Sequence, residues 1–170
     1  MIFMLVGVQG SGKSTFAKKL AKEKGIKVIS TDYVRIHNPG INEKLVWPTV
    51  YKQAYVACKQ NKDVIFDATN ITKKVRARFF KEVSDLGLVP EVGVYNFCEE
   101  LDLCQKRVQD RNEKGEELPL PLDVVKSYYE NKEEPTLDEG FKFIKKVVGG
   151  EVVSCEYSDK YKDKEKEENN

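Results

Sequence analysis

The chain has 170 residues, 40 % of them hydrophobic, a size and content that suit one domain with its own core. Charged side chains make up 34 %, yet 29 basic and 28 acidic residues leave a net charge of only +1. That excludes the global basic field of a non-specific nucleic-acid binder, so any polyanion site must be local. Ile2 to Val8 is a continuous apolar run ending in glycines, which predicts a central strand of a parallel sheet, buried on both faces. Ser14 to Lys24 sets Phe16, Ala17, Leu20 and Ala21 at helical spacing with lysines opposite, and Gly25 follows as a stop signal. Short apolar or β-branched runs recur at Lys27 to Ser30, Val64 to Phe66, Val92 to Phe97 and Phe143 to Val148. Between them helices are predicted over about 42–60, 71–87, 99–113 and 121–132, with Pro48 counting against the first. The alternation predicts an α/β fold of three layers, a central and mostly parallel sheet flanked by helices. Gly149 and Gly150, between KKVV and EVVSC, predict the turn of a closing hairpin.

From Glu156 onward the chain is a run of lysines and acids without apolar periodicity. Residues 1–155 are therefore expected to form the domain and residues 156–170 a flexible tail. The tail holds four lysines against six acids, −2, which leaves the body at +3. Cysteines 58, 98, 104 and 155 form no CxxC pair and there is one histidine, which fits no common zinc spacing and predicts reduced thiols in a cytoplasmic protein. The apolar start lacks a basic flank, a cleavage site and a span of about 20 apolar residues, so neither secretion nor a membrane partner is expected.

Residues 7–14 read GVQGSGKS, a full G-x-x-x-x-G-K-[ST] match between a predicted strand and a predicted helix. Glycines 7, 10 and 12 let the backbone curl so that successive N–H groups face phosphate oxygens, aided by the positive end of the helix. Gly7, Gln9, Gly10, Ser11, Gly12, Lys13, Ser14 and Thr15 form the expected nucleotide cradle. Lys13 would reach the β- and γ-phosphates of ATP, and Ser14 would ligate Mg²⁺. The competing reading, a chance glycine-rich turn, does not account for the strand–loop–helix context. NKDV at 61–64 begins like the guanine-reading N-K-x-D but has Val64 where the aspartate is needed, which disfavours a GTPase switch.

The second predicted strand runs into STDYVR, placing Asp32 at the strand's C-terminal edge, where open α/β sheets bind their ligands. Arg35, three residues on, would share a helical face with it. The carboxylate could take a proton from an attacking hydroxyl and the guanidinium could fork onto a phosphate. A helix N-cap is the bland alternative for Asp32, and an ordinary surface position for Arg35. His37, in the turn-rich HNPG, reads as a loop residue rather than as the base. The third strand ends in VIFDATN, so Asp67 is expected to hold a magnesium-bound water. Thr69, Asn70 and Arg76 are candidate substrate contacts, with helix capping as the alternative for the first two and a solvent-facing or acid-paired side chain as that for Arg76. Arg107 and Arg111, at i and i+4 ahead of a glycine- and proline-containing loop, predict a helical lid that neutralises phosphate charge. The alternative is that both pair with neighbouring acids on a solvated helix.

Together the P-loop, the TDYVR, DATN and DRN segments and the LPLDVVKSYY helix resemble the phage-type 5′-polynucleotide kinases over residues 2–132. The resemblance implies a P-loop NTPase-type fold with a helical lid, and ATP- and Mg²⁺-dependent phosphorylation of the 5′-hydroxyl of DNA or RNA ends, as in phage nucleic-acid repair. It also implies Asp32 as general base, Arg35 on the acceptor phosphate, Lys13 and Ser14 at the phosphates, and Arg111 as the lid arginine. The chain has no D-x-D-x-T signature, so 3′-phosphatase activity is not expected. Two other readings stay open. One is a P-loop kinase of another hydroxyl, such as a hydroxymethyl-pyrimidine in DNA or a small metabolite; the other is a non-catalytic ATP-binding adaptor.

Overall fold

The computed structural model describes residues 1–115 and 119–162. Six strands form one sheet: β1 (Ile2–Val6), β2 (Lys27–Ser30), β3 (Val64–Asp67), β4 (Val92–Phe97), β5 (Phe143–Val148) and β6 (Glu151–Tyr157). Their order is β2-β3-β1-β4-β5-β6, parallel except for β6, which returns antiparallel through Gly149 and Gly150. The helices are α1 (Lys13–Lys24), α2 (Thr31–His37), α3 (Glu43–Lys59), α4 (Lys73–Asp85), α5 (Leu101–Lys114) and α6 (Leu122–Glu130), with a 3₁₀ turn at Leu137–Glu139. This is the predicted three-layer α/β architecture.

All five residues of β1 are buried, as a central strand covered on both faces must be. Its pleat sends Ile2, Met4 and Val6 into a cluster with Val50, Phe66 and Phe79, and Phe3 and Leu5 into another with Ala17 and Leu20 of α1. A third cluster, Val8, Ile71, Cys104, Val108 and Val125, fastens the loop after β1 to α5 and α6.

Several boundaries differ from the sequence reading for local reasons. Gly7 and Val8 already belong to the loop. Pro48 does not break α3: its missing N–H frees only the carbonyl of Lys44, an exposed residue in the helix's first turn that water can reach. Asn42 caps that helix, accepting from the Lys44 N–H at 3.0 Å. Beyond Cys155, where the tail is expected to begin, β6 continues to Tyr157 and the Tyr161 ring lies 6.1 Å from that of Phe143. The rest of the expected tail, 163–170, lies outside the described residues, as do 116–118 of the expected lid loop. Among the described residues no helix is long and apolar enough to cross a membrane.

Candidate active site

The parallel order brings the C-terminal ends of β1, β2 and β3 to one edge, where the chain leaves β1 for the loop 7–12, β2 for α2 and β3 for residues 68–72. The loop wraps the start of α1 and packs against α5. Gly10 has φ +78°, and a Cβ there would come 2.3 Å from the Cys104 carbonyl oxygen, so only glycine fits. The Gly7 N–H donates to the Thr69 carbonyl at 2.9 Å, and the buried Ser11 hydroxyl donates to the Val8 carbonyl at 2.8 Å.

Lys13 is buried, and its Nζ donates to the Val8 carbonyl at 2.7 Å, folded back over the loop. Burial pushes its pKa down to about 8; Asp67 works against the drop and the positive charge of Arg111 adds to it. Asp67, at the end of β3, accepts from the Ser14 hydroxyl at 3.0 Å. Its pKa is raised, chiefly by burial, with Lys13 and the Ser14 bond opposing. Two adjacent oxygen donors beside a phosphate-binding loop fit Mg²⁺, which keeps most of its waters and takes few protein ligands. Among the described residues no group of three or more His, Cys, Asp or Glu side chains is set to hold a metal by itself.

Asp32 sits in the first turn of α2 with its side chain largely exposed, and Ser30, not Asp32, caps the helix by accepting from the Asp32 and Tyr33 N–H groups. Arg35 Nη1 donates to Asp32 Oδ1 at 2.8 Å, so the pair shares a face as its spacing predicted. Across the site, Arg107 Nη1 donates to the Gly10 carbonyl at 3.1 Å, and Arg111 lines the same hollow. Loop, acceptor edge and α5 enclose one cavity of about 690 Å³ that Gln9, Gly10, Gly12, Lys13, Ser14, Thr15, Asp32, Arg35, Asp67, Thr69, Arg107 and Arg111 all line. The arginine helix is tied to the segment entering α6 by Asn112, whose amide exchanges two hydrogen bonds with Leu120, and to α6 by Gln105, which donates to the Leu122 carbonyl.

Two candidates lie off the cavity wall. Arg76 is 0 % exposed; its Nε and Nη2 fork onto Glu139 at 2.8 and 2.9 Å, and Nη1 donates to the carbonyls of Asn70 and Glu133. These bonds tie α4 to the 3₁₀ turn at Glu139 and to the backbone at Asn70 and Glu133. Asn70 is also 0 % exposed, and with φ +47° it donates to the carbonyls of Leu5 and Ala68, stitching the exit of β3 to β1. It does not cap α4 either; Thr72 does. His37 ends α2 and stacks on Tyr33 at 3.7 Å, away from the cavity. Sequence reading missed Thr31, Ile36, Trp47 and Tyr128 on the cavity wall. Only the lone tryptophan offered a signal, at a helix position that a solvent face rarely gives to so large a ring.

Residues 2–135 match the family model AAA_33, described as AAA domain. The chain belongs to that family. Its fold is that of the P-loop kinases, a nucleotide-binding architecture. A candidate kinase from Chloroflexus aurantiacus j-10-fl superposes with a TM-score of 0.70 at 14 % identity, each chain covered over 86 %. Chaetomium thermophilum Kti12 in complex with ADP-AlF3 gives 0.64 at 17 % identity, covering 88 % of this chain and 89 % of that one. A chain of the Pnkp1/Rnl/Hen1 complex gives 0.54 at 22 % identity, covering 62 % and 38 %. At these identities the likeness is one of fold. The signal recognition particle 54 kDa protein of Sulfurisphaera tokodaii is 34 % identical over 129 residues, 72 % of this chain and 28 % of that protein. This family member spans about a quarter of the length of the curated relatives it matches.

Proposed function

We propose that this P-loop kinase domain moves the γ-phosphate of ATP to the 5′-hydroxyl of a DNA or RNA end. One observation carries the reading: a single cavity joins Lys13 and Ser14 of the phosphate loop to the hydrogen-bonded pair Asp32 and Arg35 on one side and to Arg107 and Arg111 on the other. A 5′-terminal nucleotide has a phosphate on its 3′ side, so it offers an anion to Arg35 while its hydroxyl faces Asp32. The likeness in fold to a chain of the Pnkp1/Rnl/Hen1 complex is in keeping with a nucleic-acid end.

In this mechanism the Asp32 carboxylate accepts the hydroxyl proton as the acceptor oxygen bonds to phosphorus and the bond from phosphorus to the β,γ-bridging oxygen breaks. Lys13 leaves the Val8 carbonyl and, with Arg111, neutralises charge on the migrating group. Arg107 holds the donor phosphates against the loop. Ser14 and Asp67 are the residues that would hold Mg²⁺, which would supply further neutralisation of phosphate charge.

The test is transfer of labelled γ-phosphate from ATP to a 5′-hydroxyl oligonucleotide, run beside the same oligonucleotide already 5′-phosphorylated and with Asp32→Asn. Label on the first alone, reduced about a hundredfold or more in the variant, is the expected result. Label on both would move the acceptor to a base or internal hydroxyl. Label on neither, with ATP still raising the melting temperature, would leave a small-molecule kinase or an ATP-binding adaptor.

A further inference from the structure

Arg35 is engaged on both edges of its guanidinium. Nε and Nη2 donate side by side to the two oxygens of Glu43, at 3.2 and 2.5 Å, while Nη1 donates to Asp32. Each partner leaves its mark on the other: the Glu43 bond raises the arginine's pKa, and the arginine lowers that of Glu43. Glu43 belongs to another helix, opening α3 beyond the turn at Pro39 and Gly40, and it does not line the cavity that Arg35 and Asp32 line. Its carboxylate therefore holds the forked edge of Arg35 toward the rim.

The paired N–H groups of that edge are what an arginine uses to grip one planar carboxylate or one phosphate. The edge can serve Glu43 or an acceptor phosphate, but not both. We propose that Glu43 is a placeholder for the acceptor's phosphate, released only when a phosphate-bearing acceptor takes its seat. This inference rests on the reading of Arg35 as the acceptor-phosphate ligand. A hydroxyl compound without a phosphate has nothing to exchange for the carboxylate, so Glu43 discriminates against it as well as keeping Arg35 oriented between turnovers. The exchange is cheap in the right direction. The side chains of Glu43 and Arg35 are 65 % and 38 % exposed, and ion pairs so open to solvent are worth a factor of about five at most. The phosphodiester beside a terminal 5′-hydroxyl offers the same two-oxygen face at a matching single charge, and it arrives tethered to an acceptor that Asp32 also binds.

Two measurements test it. Steady-state transfer to a 5′-hydroxyl oligonucleotide compares the natural chain with Glu43→Gln, and the Arg35 Nε–H resonance of both is titrated with thymidine 3′-monophosphate, which needs no turnover. The expected result is a KM for the oligonucleotide about three- to five-fold lower in the variant without a gain in kcat, and thymidine 3′-monophosphate bound tighter by a similar factor. In an Arg35→Ala background Glu43→Gln should change neither. A KM that is unchanged or raised would overturn the placeholder and make Glu43 a support for Arg35. Should the natural chain transfer phosphate to no oligonucleotide, the polynucleotide reading fails on its own. The titration then decides the present inference: equal affinity in both forms, or binding in neither, overturns it.

Discussion

Lys13→Met should stabilise the ligand-free protein while abolishing its response to ATP. The lysine is buried, and its pKa falls from an ordinary 10.5 to about 8. At about 1.4 kcal/mol per pH unit, that drop corresponds to about 3 kcal/mol held against the folded state near neutrality. Methionine fills a similar volume without the charge. It forfeits the hydrogen bond to the Val8 carbonyl, about 1 kcal/mol, but that oxygen still accepts from the Ser11 N–H and hydroxyl. The net gain is about 2 kcal/mol, a rise in melting temperature of about 4–8 °C for a domain of this size. The pH dependence fixes the cause. Between pH 8 and 10.5 the unfolded chain holds the lysine proton more tightly than the folded one, so the natural protein gains stability as pH rises through that window. The advantage of the variant should therefore be full below pH 8 and gone by about 10.5. Urea melts at several pH values, with and without Mg-ATP, measure both effects; at a hundred times Kd, ATP should add about 2.7 kcal/mol to the natural chain and little to the variant. A ligand-free variant no more stable than the natural chain at pH 7, or an advantage independent of pH, would refute the reasoning.

The other predictions separate support from chemistry. Arg76→Ala should cost about 3–5 kcal/mol, because it leaves Glu139 without its cation and the carbonyls of Asn70 and Glu133 without a donor. Denaturant melts would show the loss, while transfer per folded molecule should stay within about twofold; a larger fall at intact folding would return Arg76 to the substrate set. Arg111→Ala should lower kcat about a thousandfold, in line with arginines that neutralise a migrating phosphoryl group. Arg107→Ala should act mainly on the KM for ATP, since its contact is with the loop carbonyl of Gly10. If Arg107→Ala abolished transfer and Arg111→Ala were silent, the two roles would be exchanged by one helical turn.

How much was legible from sequence follows from how far apart the interacting residues lie. The phosphate loop is one contiguous segment, and its conformation depends mainly on residues 7–14, braced from outside by Thr69, Cys104 and Arg107. Asp32 and Asp67 could be placed because strand ends are visible as the ends of apolar runs and parallel sheets gather those ends. Caps were less legible, since Ser30, Asp32, Thr69 and Thr72 are all residue types that can cap, and a shift of one or two positions decides which does. Arg76 could not have been assigned. Its partner Glu139 lies 63 residues away in a segment whose 3₁₀ turn carries no periodic signal. Trp47 reaches the cavity because α3 packs beside α2; its size hinted at a role, but which surface it would meet had no trace in local pattern.

The polar contacts along the cavity differ in kind from those elsewhere in the fold. Away from it, Arg76 is matched with Glu139, and Glu99 accepts from the Gly149 N–H. Along it, each cationic group in the proposed mechanism whose contact is described rests on a substitute. Lys13 leans on the Val8 carbonyl, Arg107 on that of Gly10, and Arg35 on Glu43. A carbonyl is uncharged and a carboxylate so open to solvent is weakly held, so each of these contacts is open to exchange when a phosphate group arrives. Binding donor and acceptor would then relieve the cost of the buried lysine and free the forked edge of Arg35 in the same event. Affinity in such a site comes partly from cancelling what the empty fold leaves unfavourable, so substitutions that stabilise the empty protein here should weaken its ligand response, as Lys13→Met tests directly.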